Sequence, residues 1–106
     1  MARVLINLSA KAKPGEIIEI KTLIAHAMET GYRLGQTGAA IPRDIIKRFV
    51  CTYNGEEVFR AVLFPAIAAN PFITFFTVAT ESGEIVFSWT DDHDQTLTEV
   101  SQITVE

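Results

Sequence analysis

Asn54-Gly55 is the feature that most narrows what this chain can fold into. Both residues tolerate positive φ, so the pair closes a two-residue type I′ turn between antiparallel strands. Period-two sequence lies on either side of it. Before it, Arg43 to Tyr53 puts Ile45, Lys47, Phe49, Cys51 and Tyr53 on one face and Ile46, Arg48, Val50 and Thr52 on the other. After it, Glu57 to Phe64 is the returning strand. The rest of the chain repeats the pattern. Val4 to Leu8 is a short first strand, Ala10 to Gly15 a turn, and Glu16 to Ala25 a long strand rich in β-branched residues. Phe72 to Ala79, Glu84 to Asp91 and Thr96 to Val105 complete the set, separated by Glu81-Ser82-Gly83 and by Asp91-Asp92-His93-Asp94. About seven strands with regular turn signals, and no helical period, predict an all-β, immunoglobulin-like antiparallel β-sandwich. The 106 residues form one domain, 1–106, long enough to bury a core without metal or disulfide staples.

The strand Glu16 to Ala25 has two unlike faces. Ile18, Ile20, Thr22 and Ile24 share one and read as core. Ile17, Glu19, Lys21 and Leu23 share the other, which is apolar at its ends and charged in its middle. The pattern stops at His26, Met28 and Glu29, just before Gly31. The segment His26 to Pro42, punctuated by Gly31, Gly35 and Gly38, is a long loop, and loops of that length in small domains carry function or mobility.

Several function classes drop out. A net charge of −4 argues against nucleic acid or an anionic membrane as the main partner. No stretch approaches the ~20 apolar residues of a membrane span. Met1 to Ser9 has one basic residue and no long apolar run, so it does not read as an export signal. There is no phosphate loop, no G-x-G-x-x-G, no H-E-x-x-H and no nucleophile elbow. Two chemical alternatives remain. Asp91, Asp92, His93 and Asp94 offer oxygens to a hard cation but lack a calcium-loop glycine and distal glutamate, so a solvated turn is the better reading. Cys51 and His26 are a nucleophile and base on paper. Yet Cys51 alternates with Phe49 and Tyr53, which reads as a buried, inert thiol.

One feature exceeds an ordinary sandwich. Val58, Val62 and Phe64 oppose Phe59, Ala61 and Leu63; Phe72, Phe76 and Val78 oppose Ile73, Phe75 and Ala79. Both strands are apolar on both faces, while a two-layer sandwich has one interior. The surplus face predicts a protein partner, and self-association when that partner is missing. The plain alternative is that Phe64 and Phe72 close the ends of the core. His26, Met28 and Glu29 are expected on a partner-facing or enzyme-facing rim, with capping of loop amides by Glu29 as the structural alternative.

These segments carry a resemblance over nearly the whole chain. Lys21-Thr22-Leu23-Ile24-x-His26-x-Met28-Glu29-Thr30-Gly31, Ile41-Pro42-Arg43, Arg48-Phe49 and Tyr53-Asn54-Gly55-Glu56-x-Val58-Phe59 resemble SoxZ, a subunit of the bacterial sulfur-oxidation carrier. So do Pro65-Ala66-Ile67-x-Ala69-Asn70-Pro71-Phe72 and Phe87-x-Trp89-x-Asp91-Asp92. Ala27 stands where some members have proline, and His93 where an aspartate is common. The resemblance implies an immunoglobulin-like sandwich with no known catalytic residue, which pairs with SoxY; no metal or cofactor is expected, because the acidic turn lacks a defined ligand set and the core needs no staple. SoxY carries the sulfur intermediates of thiosulfate oxidation on a cysteine in a flexible glycine-rich arm, and the other Sox enzymes meet that arm transiently. It also implies work in the periplasm, with export together with SoxY.

Overall fold

The computed structural model describes residues 3–65, 67 and 69–106. Residues 66 and 68 of the proline-framed connection, and residues 1 and 2, lie outside the described residues. Eight strands run in the order β1 (Val4–Asn7), β2 (Lys11–Ala12), β3 (Ile17–Ile24), β4 (Ile46–Tyr53), β5 (Glu56–Val62), β6 (Phe72–Val78), β7 (Gly83–Asp91) and β8 (Thr96–Val105). Among the described residues there is no helix. The strands form a three-stranded sheet, β1-β3-β6, and a five-stranded sheet, β2-β8-β7-β4-β5.

The eight strands fit the expected count of about seven, with one short strand added. Lys11–Ala12, inside the expected Ala10–Gly15 turn, pairs in parallel with Thr104 and Val105, the one parallel pairing among the named strands. Two residues show no periodicity, so only tertiary pairing makes them a strand. The Asn54-Gly55 turn has φ of 50° and 84°, as a type I′ turn requires. Asn54 also ties the hairpin to β7: its Oδ1 accepts from Glu84 N–H at 3.0 Å.

The core lies between the sheets. β3 contributes Ile18, Ile20, Thr22 and Ile24, all buried, from one face. Across from them sit Phe49, Cys51, Ile85, Phe87 and Trp89. Phe49 is the hub of the aromatics, 5.2 Å from Trp89 and 6.0 Å from Phe59 and Phe75. Phe59 of β5 stacks on Phe75 of β6 with centroids 4.4 Å apart, joining the edges of the two sheets. Stacked pairs of this kind contribute ~0.5–1.5 kcal/mol beyond burial.

β4 departs from strict alternation at its start. Ile45 and Ile46 are both buried, and the pairing with β7 shifts between Ile46 and Arg48. That bulge turns Lys47 off the face of Phe49 and Cys51, and its Nζ meets Asp94 Oδ1 at 2.5 Å. The simple parity that set Lys47 beside Cys51 is corrected accordingly.

Candidate interaction surface and polar loop end

The doubly apolar strands now have an inside and an outside. Leu63, Phe75 and Ala79 are buried and Phe59, Ala61 and Ile73 partly so; Val62, Phe64, Phe72, Phe76 and Val78 are exposed. Val58, on the outward parity, is only half-exposed and packs partly against the core. The exposed residues do not form one face. β6 is an edge of the three-stranded sheet and β5 an edge of the five-stranded sheet. Val62 and Phe64 instead flank a cavity of about 290 Å³ with Arg43, Lys47 and Arg48.

The outer face of β1-β3-β6 is the larger apolar surface. Pairing aligns its side chains in rows. Leu5, Leu23 and Phe72 form one end row, and Ile17 and Val78 the other, with Phe76 next to them across from Glu19. The middle row is Asn7, Lys21 and Thr74. Ile17 is 68% exposed, Leu5 62%, Phe72 and Phe76 61%, and Val78 46%. Leu5 and Ile17 extend the surface beyond the residues expected from β5 and β6. The signal for Ile17 was in the sequence, in the apolar ends of the second face of β3; Leu5 of β1 joins it only through pairing with Leu23. A cavity of about 400 Å³ opens among Leu5, Asn7, Lys21, Leu23 and Phe72.

The other candidate region is the end where β3 exits. His26 and Asn70 clasp each other: Asn70 N–H donates to His26 O at 2.7 Å, and His26 N–H to Asn70 Oδ1 at 2.9 Å. Met28 is not on the rim. It is buried, with φ of 51°, and its Sδ accepts from Ile46 N–H at 3.2 Å. This corrects the outward placement expected of its side chain; an unbranched thioether fills an irregular gap and supplies a weak acceptor there. Glu29 holds Arg33 through two hydrogen bonds of 3.0 Å rather than capping amides, and the guanidinium keeps its carboxyl below the usual range. Its backbone exchanges two bonds with Asp44, pinning the loop to the start of β4.

Sequence reasoning did not single out Asp44. Its Oδ1 is buried with no hydrogen-bond partner, 3.8 Å from His26 Nε2 and 3.7 Å from His93 Nε2. The arrangement is a poor metal site. Met28 N–H donates to His26 Nδ1 at 2.9 Å, so the proton of the neutral ring lies on Nε2, the atom that faces Asp44. A metal-bound imidazole normally donates from its other nitrogen instead. Among the described residues no three His, Cys, Asp or Glu side chains are grouped to hold a metal. The acidic turn is bound internally: Arg43 grips Asp92 at 2.7 and 2.8 Å and holds its carboxyl below the usual range, and Lys47 does the same to Asp94. Asp91 Oδ1 accepts from the amides of His93 and Gln95.

Cys51 is fully buried, and burial pushes its thiol up to about 12. It pairs in register with Phe59 and Phe87. His26 lines a cavity with Ile46, which lies five residues from Cys51 along β4, ~16 Å at ~3.3 Å per residue. The structure does not bring this nucleophile and base together.

The family model for the sulphur oxidation protein SoxZ matches residues 6–102. The chain belongs to the SoxZ family. No curated protein matches its sequence. Among solved structures, the superoxide reductase (neelaredoxin) of Ignicoccus hospitalis is similar, with a TM-score of 0.75 and 16% identity over 97% of this chain and 80% of that one. The sulfur carrier protein SoxY of Chlorobium limicola f thiosulfatophilum is similar too, with a TM-score of 0.66 and 9% identity over 97% and 78% of the two chains. At these identities the likeness is one of fold. A role in sulfur oxidation follows from the SoxZ membership.

Proposed function

We propose that this SoxZ-family chain is the non-catalytic half of a sulfur carrier. It pairs with SoxY and holds it so that the Sox enzymes reach the cysteine on the SoxY arm. The observation that carries this reading is the outer face of β1-β3-β6, where Leu5, Ile17, Phe72, Phe76 and Val78 stand exposed. Exposed apolar side chains gathered on one sheet face mark a protein-interaction surface. Val62 and Phe64, with His26 at the same end of the sandwich, form a second, smaller rim for the enzymes that visit. The absence of chemistry at Cys51 supports a non-enzyme: its thiol is buried and held far above neutral pH. The work belongs in the periplasm, with the chain exported as a complex with SoxY. The test is direct. The purified chain is mixed with SoxY and the product weighed by native mass spectrometry, then thiosulfate oxidation by the remaining Sox proteins is followed with and without it. A heterodimer on which turnover depends is expected. Failure to form a complex, or turnover by SoxY alone at the same rate, would sink the reading.

A further inference from the structure

The outer face of β1-β3-β6 is built to match a second copy of itself, and we infer that the isolated chain self-pairs through it, in a dimer that SoxY must open. The competition with SoxY rests on the function proposed above; the self-pairing does not.

The argument starts from two side chains. Glu19 and Lys21 sit two residues apart on the outward parity of β3, the central strand of the sheet, and touch at 3.4 Å. On one side lies the row Leu5, Leu23, Phe72; on the other lie Ile17 and Val78, while Phe76 shares the row of Glu19. Two such sheets packed face to face have two simple two-fold arrangements. An axis along the strands sets like on like: Glu19 faces Glu19 and Lys21 faces Lys21. An axis lying in the contact plane and crossing the strands inverts each strand over its own copy. Glu19 then meets Lys21 of the second copy and Lys21 meets Glu19; Leu23 covers Ile17 and Phe72 covers Val78, while Phe76 lies over Thr74 and Leu5 lies past the end of the second β1. Only the second arrangement satisfies charge and apolar contact together. The four charges form a closed alternating ring where like charges would repel.

The size of the face sets the strength. Three strands ~4.8 Å apart and eight residues of β3 give a plate of roughly 14 by 26 Å. That is well below the ~800 Å² per partner of a standard stable interface. The self-paired form is therefore weak and exchanges readily, as a holding state should.

Charge reversal tests this. Sedimentation velocity across a concentration series reads the dimer, and thermal melts check that each variant is folded. Glu19→Lys or Lys21→Glu alone should weaken self-association about ten-fold or more, because like charges then face each other. The double swap, Glu19→Lys with Lys21→Glu, should restore it. A mixture of the two single variants should form mixed dimers in preference to either alone. A monomeric wild-type chain at all concentrations, single variants that dimerise normally, or a swap that fails to restore pairing would each overturn the inference. A separate arm adds SoxY. A chain that stays monomeric yet binds SoxY refutes the self-pairing and leaves the proposed function standing. A chain that dimerises through this face but never binds SoxY does the reverse.

Discussion

Phe75 and Phe76 are adjacent in sequence and opposite in consequence, and aspartate at each separates folding from partner binding. Phe75 is 4% exposed, stacked on Phe59 and in edge contact with Phe49. Deleting a buried phenyl costs ~3–5 kcal/mol, and a buried carboxylate without a partner adds several more. Against a total stability of ~5–15 kcal/mol, Phe75→Asp is expected to unfold the chain. Phe76 is 61% exposed, so Phe76→Asp should change stability by less than ~0.5–1 kcal/mol. If that exposed part, ~100–150 Å² of a phenylalanine, is covered in the complex, its loss removes ~3 kcal/mol at ~25 cal/mol per Å². That corresponds to roughly 100-fold in Kd for SoxY. Circular dichroism melts and isothermal titration against SoxY read the two effects. The reasoning is refuted if Phe76→Asp unfolds with Phe75→Asp. It is equally refuted if Phe76→Asp and Phe72→Asp both fold and bind SoxY with wild-type affinity.

Three further outcomes are expected. Cys51→Val should fold, bind SoxY and support thiosulfate oxidation, and native Cys51 should resist iodoacetamide at pH 8, since its thiol is buried and pushed up to about 12; rapid alkylation would contradict this. Asp92 has its folded pKa depressed by Arg43, so it contributes stability above its unfolded pKa, and that contribution fades as pH falls through the folded value. Asp92→Asn should therefore lower stability by ~1 kcal/mol at pH 7, with the gap to wild type closing below about pH 4 in melts run across pH. Met28→Leu keeps the volume but removes the sulfur that accepts from Ile46 N–H, and urea melts should show a loss of ~1–2 kcal/mol from the orphaned amide; no loss would mean that bond contributes nothing.

Much of this molecule is local. Asn54-Gly55 specifies its own turn, and β3, β6 and β7 declare their faces by alternation, because side chains two residues apart must share a side of the pleat. The fold class and the surplus of apolar side chains on β5 and β6 follow from that rule. The resemblance to SoxZ was legible because its segments run in order along the chain.

What alternation cannot say is where each strand sits. Only the tertiary structure assigns β5 and β6 to edges of different sheets and so divides their outward residues between two surfaces. Only the pairing of β1, β3 and β6 joins Leu5 and Ile17 to Phe72, Phe76 and Val78. Met28 reads as a rim residue in sequence and is buried in the fold, because a positive φ and a bond from Ile46 turn it inward. Asp44 is an unremarkable residue in a loop until folding brings His26 and His93 to within 4 Å of one oxygen. Patterns of period two are set by bonds between chain neighbours, whereas surfaces and polar clusters are set by which distant segments meet.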